Sequence, residues 1–433
     1  MRVTFIFVFC VSMAACNESE SSAVDMGAID AAQIDMSSVD AAVSMDAMEP
    51  DATIPMPLTL DDPTVIDLPN LPPLSIQPSV ALGADGEIAV SWCGSEAEDL
   101  GIWFSLLNPD GSVRVEPYQL ETTSVGIQNE PDICPLPGGG YAVAWSMDAQ
   151  EVNADGQNLY LRYRVVGADG QPSSATDLEV SAPHPGNRWL AEIACDPAGG
   201  FVIAGTGSEP NMTFGAFAQR FDVNGNPSGA AIPLNAEPEG AQTFPSVAVG
   251  PDGTTVIAWE NQTGFGTDRI TKEIVLRRFE NTDLAIGTEE IIITDPDVEA
   301  ARPEVSIDPV SGNILVGATI DQRRLGLYSL SADDETVNVI EGPEGINYYP
   351  AISPIGDGRF AMLSLNGFAS DVTVRATILG PEGNIEEMAD LTTGALPPYP
   401  TTAHASDGRL VVGWTERTTG NGYRIRLAVF GQP

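Results

Sequence analysis

Lysine and histidine are almost absent from this sequence. Lys272 is the only lysine, and 19 basic residues stand against 61 acidic ones, which gives a formal net charge of −42. A surface of that charge repels nucleic acid and anionic lipid headgroups. We therefore expect no nucleic-acid partner and no electrostatic attachment to a membrane.

The two histidines leave little material for acid-base or nucleophilic catalysis. His184 lies between two prolines, where a turn residue is the simpler interpretation, and His404 occupies an apolar strand position, where a packed side chain is. The sequence has no Gly-x-Ser-x-Gly elbow and no His-Glu-x-x-His motif. Its spacings also offer too few ligands for a zinc site. We predict no catalytic residue, no metal and no cofactor.

A calcium loop is the lesser alternative to that prediction. The run Asp222-Val-Asn224-Gly-Asn226 loosely resembles such a loop. It lacks the closing acidic ligand and coincides with a predicted turn, so a turn remains the preferred interpretation.

Long apolar runs are missing, apart from a short one at the N-terminus. Arg2 precedes an apolar run from Val3 to Val11, which is too short to span a bilayer, so residues 1–15 are predicted to be an export signal. Met13-Ala-Ala-Cys16 resembles the bacterial lipobox, although that family usually has Leu where this chain has Met13. The resemblance implies that Cys16 is diacylated and anchors the chain to the outer membrane, on the cell surface or the periplasmic side. The alternative is ordinary cleavage after Ala14, which leaves Cys16 as a stray thiol.

Residues 16–62 form a predicted disordered linker behind Cys16. From residue 17 to 62 there are eleven acidic residues, no basic residue and no aromatic one. Such a segment cannot bury enough apolar area to fold. Similar Asp/Ala/Met stretches follow the lipidated cysteine in lipoproteins of some Gram-negative bacteria, which this segment resembles.

Residues 63–433 contain seven repeats of one apolar motif. Four copies end in Trp and three lack it, and their last residues lie 53, 60, 54, 59, 46 and 50 positions apart, which is a propeller-blade period. A short strand precedes each copy, with a Gly-containing hairpin turn between them. The last residues of the seven copies are Trp92, Trp145, Gly205, Trp259, Ala318, Ser364 and Trp414.

The first two strands of each repeat are apolar at nearly every position, which requires burial on both faces. Neighbouring repeats provide that cover when they are arranged in a ring. The repeats resemble the propeller repeats of secreted bacterial proteins, and this resemblance implies an all-β, seven-bladed β-propeller with four-stranded antiparallel blades. It implies no chemistry, because propellers carry many unrelated functions.

The last repeat ends at Phe430 after three strands, so its fourth strand is missing. Residues 64–68 match the fourth strands of other repeats. We predict that this N-terminal strand completes the last blade and closes the ring, which removes exposed sheet edges.

Cys93, Cys134 and Cys195 cannot all pair with one another. Cys134 and Cys195 occupy successive positions in aligned first strands, so their side chains point to opposite faces, and opposite faces of adjacent blades meet. A disulfide between Cys134 and Cys195 is therefore one possibility. A bridge from Cys93 to Cys134 and three buried thiols are the alternatives.

The turns within each blade define one end of the propeller, which we call the turn face. The opposite end, the loop face, carries longer predicted connections, such as Cys93 to Gly101 and Glu260 to Glu273, where function usually concentrates. The residues that enter the first strands are expected to ring the channel mouth there: Gln77, Glu130, Leu190, Phe244, Arg302, Tyr349 and Tyr399. Tyr348, Trp189, Arg188 and Phe265 are candidates nearby. Aromatic rings beside acids and an arginine can stack on sugars or anchor a peptide, whereas the simpler interpretation is packing of the channel rim.

The preferred functional hypothesis is a monomeric, envelope-anchored, non-enzymatic binding module. Its ligand is a protein or a glycan, held on the loop face by Tyr349, Tyr399, Phe244, Arg302, Glu130, Gln77, Trp189 and Tyr348. A propeller glycosidase or polysaccharide lyase with paired carboxylates is one alternative, although the boxes of propeller sialidases do not match here. A structural scaffold in an envelope complex is the other.

Overall fold

The computed structural model describes residues 58–431, apart from 96–98, 124–125, 150, 154–156, 210–212, 236–239, 265–270, 281–283, 285–290, 295–297, 322, 333–335, 341, 346, 368–371, 394–399, 405–407 and 419–421. The predicted export signal, Cys16, most of the acidic linker, Phe265 and Tyr399 lie outside the described residues. All described residues belong to one compact unit, 55–433. Their regular structure is β-strand, and none of it is a helix long and apolar enough to cross a membrane.

The strands fall into groups of four along the chain. The N-terminal strand is β1 (Thr64–Asp67). The next sheet contains β2 (Leu74–Leu82), β3 (Ile88–Ser95), β4 (Gly101–Leu107) and β5 (Val113–Gln119). It is followed by β6 (Ile127–Pro135), β7 (Tyr141–Asp148), β8 (Leu159–Val166) and β9 (Leu178–Glu179). The third group is β10 (Arg188–Cys195), β11 (Phe201–Ser208), β12 (Phe214–Phe221) and β13 (Ile232–Pro233).

The second half of the chain continues in the same way. The fourth group is β14 (Ala241–Val249), β15 (Thr255–Thr263), β16 (Thr271–Phe279) and β17 (Ile291–Ile292). The fifth is β18 (Ala300–Ile307), β19 (Ile314–Ile320), β20 (Arg324–Leu330) and β21 (Asn338–Ile340). The sixth is β22 (Asn347–Gly356), β23 (Arg359–Asn366), β24 (Thr373–Leu379) and β25 (Ile385–Thr393). The last strands are β26 (Thr401–His404), β27 (Leu410–Arg417) and β28 (Tyr423–Phe430).

The innermost strands of these groups follow one another in a circle. Each contacts the next, and β26 contacts β2, so the circuit closes: β2, β6, β10, β14, β18, β22 and β26. We call these the inner strands. An all-β chain whose antiparallel sheets surround a central channel is a β-propeller. The prediction of an all-β propeller built from repeats is therefore confirmed.

The count of separate sheets differs from the prediction. Within the described residues there are five four-stranded antiparallel sheets and one sheet of eight strands, not seven sheets of four. The eight-stranded sheet contains β10 to β17, and its two halves meet through a single parallel pairing of Phe214 with Ala241. The sheets merge because the loop-face ends of β12 and β14 come close enough for backbone pairing.

The last sheet closes the ring as predicted. Strand β1 pairs antiparallel with β28, and Thr64 lies opposite Val429. The sheet order is β1, β28, β27, β26, so residues from both ends of the described chain share one sheet. Leu68 is buried with Val80 and Leu427, in a cluster that joins this sheet to the first one.

Burial on both faces is also confirmed. Every residue of β3 and of β19 is buried, whereas β5 on the outside alternates between half-buried and exposed residues. The close approach of neighbouring sheets is visible at Gly317, because a Cβ there would meet Ile352 at 2.9 Å and Pro350 at 3.1 Å. The Trp side chains fill the wider spaces, and Trp92, Trp145 and Trp259 are completely buried.

The chain enters the propeller on the turn face. Leu58 and Leu60 are buried in a cluster with residues of β24, β27 and β28. The backbone N–H of Leu60 donates to Oε1 of Glu387, near the start of β25, at 2.9 Å. Strand β1 then runs from the turn face toward the loop face, antiparallel to β28.

Candidate functional site

Six inner strands carry the same irregularity where they enter the channel. In each, the pairing register shifts, and one non-glycine residue adopts a φ between 51° and 59°. Five of these residues precede proline. They are Gln77, Glu130, Leu190, Phe244, Arg302 and Tyr349, and we call them the rim residues. A positive φ is costly for bulky residues, so neighbouring contacts must hold it in place.

Hydroxyl groups of the preceding repeat supply such contacts. The N–H of Gln77 donates to Oγ1 of Thr415 at 3.0 Å, and that of Tyr349 donates to Oγ1 of Thr319 at 3.1 Å. The N–H of Leu190 donates to Oγ of Ser146 at 2.9 Å. These hydroxyls occupy equivalent positions, one residue beyond the Trp or the residue that replaces it. Each of these rim residues is therefore held by a side chain from the neighbouring repeat.

The six rim residues line one cavity of about 420 Å³ at the channel. That volume falls within the roughly 300 to 1,000 Å³ typical of small-molecule sites. Tyr399, the seventh predicted member, lies outside the described residues, but Pro400 and Thr401 beside it line the same cavity. Sequence reasoning thus placed six candidate residues that the structure brings together.

Arg302 is held between two aromatic rim residues. Its guanidinium carbon lies 4.4 Å from the ring centroid of Phe244 and 4.9 Å from that of Tyr349. Cation–π contact on two sides fixes the plane of the guanidinium. The mouth therefore offers two rings, one oriented cation and the polar groups of Gln77 and Glu130 around one recess.

Three further candidates lie next to the rim without lining the cavity. The ring of Tyr348 stands at 68° to that of Tyr349, with centroids 5.1 Å apart, so it supports the rim from behind. Trp189 packs edge-on against Phe214. Arg188 is buried, and it donates to the carbonyl of Val180 at 2.7 Å and to Glu179 at 2.8 Å, which is a structural role.

Three carboxyl groups line the channel below the rim, and sequence reasoning missed them. Asp132, Glu192 and Glu304 each lie two residues after a rim residue and line the same cavity. All three residues are half-buried and border the channel cavity. The signal that could have found them is an acidic residue two positions after three of the six rim residues, within an apolar strand.

Hydrogen bonds tie these carboxyl groups to adjacent inner strands. Oδ1 of Asp132 accepts from Oγ of Ser79 at 2.9 Å, and Oδ2 accepts from the N–H of Ile193 at 2.9 Å. Ser246 donates to Oε2 of Glu304 at 3.3 Å. Asp132 and Glu192 also hydrogen-bond to each other. These hydrogen bonds therefore link neighbouring inner strands to one another.

Burial disfavours the ionised form of all three carboxyl groups. It raises the pKa of Asp132, and it raises that of Glu192 well above its ordinary value, with the charge of Asp132 adding to the shift. Burial, followed by the charge of Asp132, raises the pKa of Glu304 to about 8. Glu304 is therefore mostly protonated at neutral pH and can donate a proton, while the Asp132–Glu192 pair shares one.

The channel wall also contains a disulfide. Cys134 and Cys195 are bonded to each other and link β6 to β10. Cys93 is a free, buried thiol whose pKa is raised by burial, and its sulfur donates to Oε1 of Gln77 at 3.0 Å. It occupies the position where other repeats have Ser146 or Thr319, and like them it hydrogen-bonds to a rim residue.

The candidate calcium loop is a hydrogen-bonded turn. Oδ1 of Asp222 accepts from the N–H groups of Asn224 and Asn226, and Oδ2 accepts from the Asn226 side chain at 2.9 Å. These bonds lower the pKa of Asp222. In the part of the chain that the structure describes, no group of three or more His, Cys, Asp or Glu side chains is arranged to hold a metal.

The loop-face connections are shorter than predicted. The segment from Glu260 to Glu273 was expected to be loop, but β15 and β16 extend to a pairing of Thr263 with Thr271. Strand β3 likewise continues to Ser95. The polar residues at these strand ends hid the strands from sequence reasoning, because they are half-buried or satisfied across the pair.

Comparison with known proteins finds structures of similar fold but no family to which the chain belongs. No protein-family model matches the sequence, and no curated protein matches it. Among solved structures, a protein of unknown function from Dyadobacter fermentans is 14% identical, with a TM-score of 0.54, over 85% of this chain and 98% of that one. An ulvan lyase, a polysaccharide lyase solved with a -[GlcA(1-4)Rha3S]- ligand, is 11% identical with a TM-score of 0.55, over 83% and 94%.

A third similar structure is an α-L-arabinanase from Penicillium chrysogenum complexed with arabinobiose. It is 15% identical with a TM-score of 0.48, over 85% of this chain and 98% of that one. At such identities the two structures with TM-scores of 0.54 and 0.55 share the fold alone with this chain. The class of protein defined here is therefore a β-propeller with a lined central channel.

Proposed function

We propose that this protein is a carbohydrate-recognising propeller that binds a saccharide in the mouth of its central channel. The observation that carries the proposal is the placement of Arg302 between Phe244 and Tyr349, with Gln77 and Glu130 around the same cavity. Sugars present apolar C–H faces and vicinal hydroxyls, which aromatic rings and planar polar groups match.

Charge and size select this ligand class. A net charge of −42 disfavours anionic polymers and favours neutral saccharides. A cavity of about 420 Å³ has the size of a small-molecule site, so it can hold a short saccharide but not a folded protein. Of the protein and glycan ligands expected from the sequence, the glycan fits better.

The binding test uses neutral oligosaccharides derived from xylan, arabinan, cellulose and starch. Calorimetry on the full chain should detect at least one of them at millimolar concentration or tighter. Arg302→Ala should weaken that binding about tenfold or more, since it removes charged hydrogen bonds. Arg302→Lys should recover only part of it, because an ammonium lacks the planar fork. Equal binding by Arg302→Ala, with thermal unfolding unchanged, would reject the mouth as the site.

Hydrolysis of the bound saccharide is the second candidate, and the channel carboxyl groups favour it over a purely passive module. A glycosidase needs one protonated and one ionised carboxyl group. Glu304, protonated at neutral pH, fits the acid, and the Asp132–Glu192 pair holds a single proton between two groups. The fold is shared with an ulvan lyase, but elimination from an anionic uronate fits this acidic channel less well than hydrolysis does.

Turnover separates the two candidates. Incubation with an oligosaccharide that binds should release reducing ends if the protein hydrolyses it. Glu304→Gln should then abolish release while leaving the dissociation constant within a few-fold. Binding without release by the unaltered protein would leave a non-enzymatic module. A purely structural scaffold, the other alternative from the sequence, predicts neither binding nor release.

We also propose seven blades and a lipid anchor. The eight-stranded sheet counts as two blades because one parallel pairing joins two antiparallel halves, each with its own inner strand. Residues 13–16 support diacylation of Cys16 and attachment to the outer membrane. Mass spectrometry of the membrane-extracted protein should find a lipidated N-terminal Cys16, and an unmodified Cys16 would reject the anchor.

A further inference from the structure

A second aromatic pair lies beside the channel mouth. Trp189 directly precedes the rim residue Leu190, and its ring stands at 86° to that of Phe214, with centroids 4.7 Å apart. Phe214 begins β12 on the loop face and is 40% exposed. Among the exposed large hydrophobic residues that the structure describes, it is the only aromatic one.

A polar pair lies at this hairpin but on the opposite face of its sheet from Phe214, because side chains alternate along a strand. The N–H of Glu209 donates to the carbonyl of Thr213 at 3.0 Å and closes the hairpin. Nε2 of His184 lies 3.3 Å from Oε2 of Glu209. The neighbouring Gly215 leaves room for that carboxylate, because a Cβ there would come within 2.1 Å of its Oε1.

We propose that Trp189 and Phe214 form a second saccharide subsite, which takes the next sugar unit of an oligosaccharide whose end lies in the channel mouth. This inference rests on the proposed function. The consecutive positions of Trp189 and Leu190 connect the two sites, since adjacent residues are 3.8 Å apart along the chain. A sugar can stack on the exposed ring of Phe214.

The surroundings argue against a protein partner at this place. The other exposed apolar side chains, such as Val65, Val223 and Val310, lie on separate strands and turns and form no patch with Phe214. A protein interface requires a contiguous apolar centre. One isolated aromatic platform matches a single sugar ring.

The affinity test measures binding of one neutral series, xylo-oligosaccharides of two to six units or whichever series the protein binds best. Affinity should rise about threefold to tenfold once the chain is long enough to reach the second subsite. Phe214→Ala should remove that gain and leave the shortest ligand unaffected. Arg302→Ala should weaken all lengths. Val223→Ala, an exposed valine on the turn face, is the matched control and should change nothing.

Fluorescence provides an independent measurement. Of the six tryptophans, Trp92, Trp145, Trp259 and Trp414 are at most 3% exposed, which leaves Trp103 and Trp189 half-buried. The Trp189→Phe variant separates the signal of Trp189 from that of Trp103. Longer oligosaccharides should change the emission of the unaltered protein. Trp189→Phe should lose most of that change while keeping the affinity, because phenylalanine can still stack, whereas Trp189→Ala should lose the affinity gain.

Each outcome decides something specific. Equal affinity for all lengths, or a length gain that persists in Phe214→Ala, overturns the second subsite and leaves the channel mouth standing. Binding that depends on Phe214 and not on Arg302 supports the platform and removes the mouth. No binding of any saccharide overturns both. Circular dichroism and thermal unfolding should show that each variant is folded.

Discussion

Nε of Arg426 donates to Oδ1 of Asp67 at 2.9 Å, across 359 positions of sequence. The two residues are opposite each other in the pairing of β1 with β28. Arg409 strengthens the neighbouring junction on the turn face. It is 1% exposed, and its guanidinium donates to the carbonyls of Gly86 and Pro109. The first and last parts of the fold are therefore fastened at two places.

Deletion of residues 64–68 should lower the free energy of unfolding by several kcal/mol. It removes the buried Leu68 side chain, about 1.5 to 3 kcal/mol by itself, and exposes the edge of β28. Urea denaturation measures the change. Asp67→Ala, which removes only a half-exposed ion pair, should cost about 0 to 1 kcal/mol. A deletion no worse than this control would contradict closure by β1.

Thr319→Val should destabilise the protein by about 1 to 3 kcal/mol. It leaves the N–H of Tyr349 without its acceptor while hardly changing the volume of the side chain. Thr206→Val is the matched control at the equivalent position. The Thr206 hydroxyl is completely buried and has no hydrogen-bond partner within the described residues, so its loss should be neutral or stabilising. Equal effects of the two changes would disprove a specific role for the Thr319 bond.

Stability should fall as the pH rises from about 4.5 to 8. The Glu304 carboxyl ionises near 4.5 in the unfolded chain but only near 8 in the folded one. Between these values the folded protein binds more protons, so rising pH favours unfolding, and the effect levels off above 8. Glu304→Gln should flatten this slope relative to the unaltered protein in thermal unfolding at pH 5 and pH 8. The same slope in both proteins would refute the assignment to Glu304.

Reduction of the disulfide should lower stability by roughly 4 kcal/mol, because the bond closes a loop between residues 61 positions apart. Cys93 should resist alkylation in the native protein, since its thiol is buried and its pKa is raised. After unfolding without reductant, peptide mass spectrometry should find alkylated Cys93 and a linked Cys134–Cys195 peptide. Alkylated Cys134 in that sample would contradict the pairing.

The repeat, its arrangement in a ring and the residues of the rim could be predicted from the sequence, because each depends on a pattern of neighbouring residues. Apolar runs such as β3 require cover on both faces, and the prolines after Gln77, Glu130 and Arg302 mark where the strands enter the channel. Closure by β1 could be predicted because the last repeat ends one strand short.

The rest depends on distances that no local pattern contains. The merger of two sheets at Phe214 and Ala241 depends on how two strand ends approach in space. The platform of Trp189 and Phe214 and the hydrogen bond between Asp132 and Glu192 each join different repeats or strands. Glu304 was missed because a carboxyl group inside an apolar strand becomes meaningful only once that strand is known to face a channel.

The hydroxyl supports of the rim have a consequence for how the mouth can change. Three rim residues keep their positive φ through a hydrogen bond to a hydroxyl of the preceding repeat. The pairs are Tyr349 with Thr319, Leu190 with Ser146 and Gln77 with Thr415. A displacement of one repeat would therefore also displace the rim residue of the next repeat. The width of the channel mouth therefore depends on all of these repeats together, and a substitution in a distant repeat would change it.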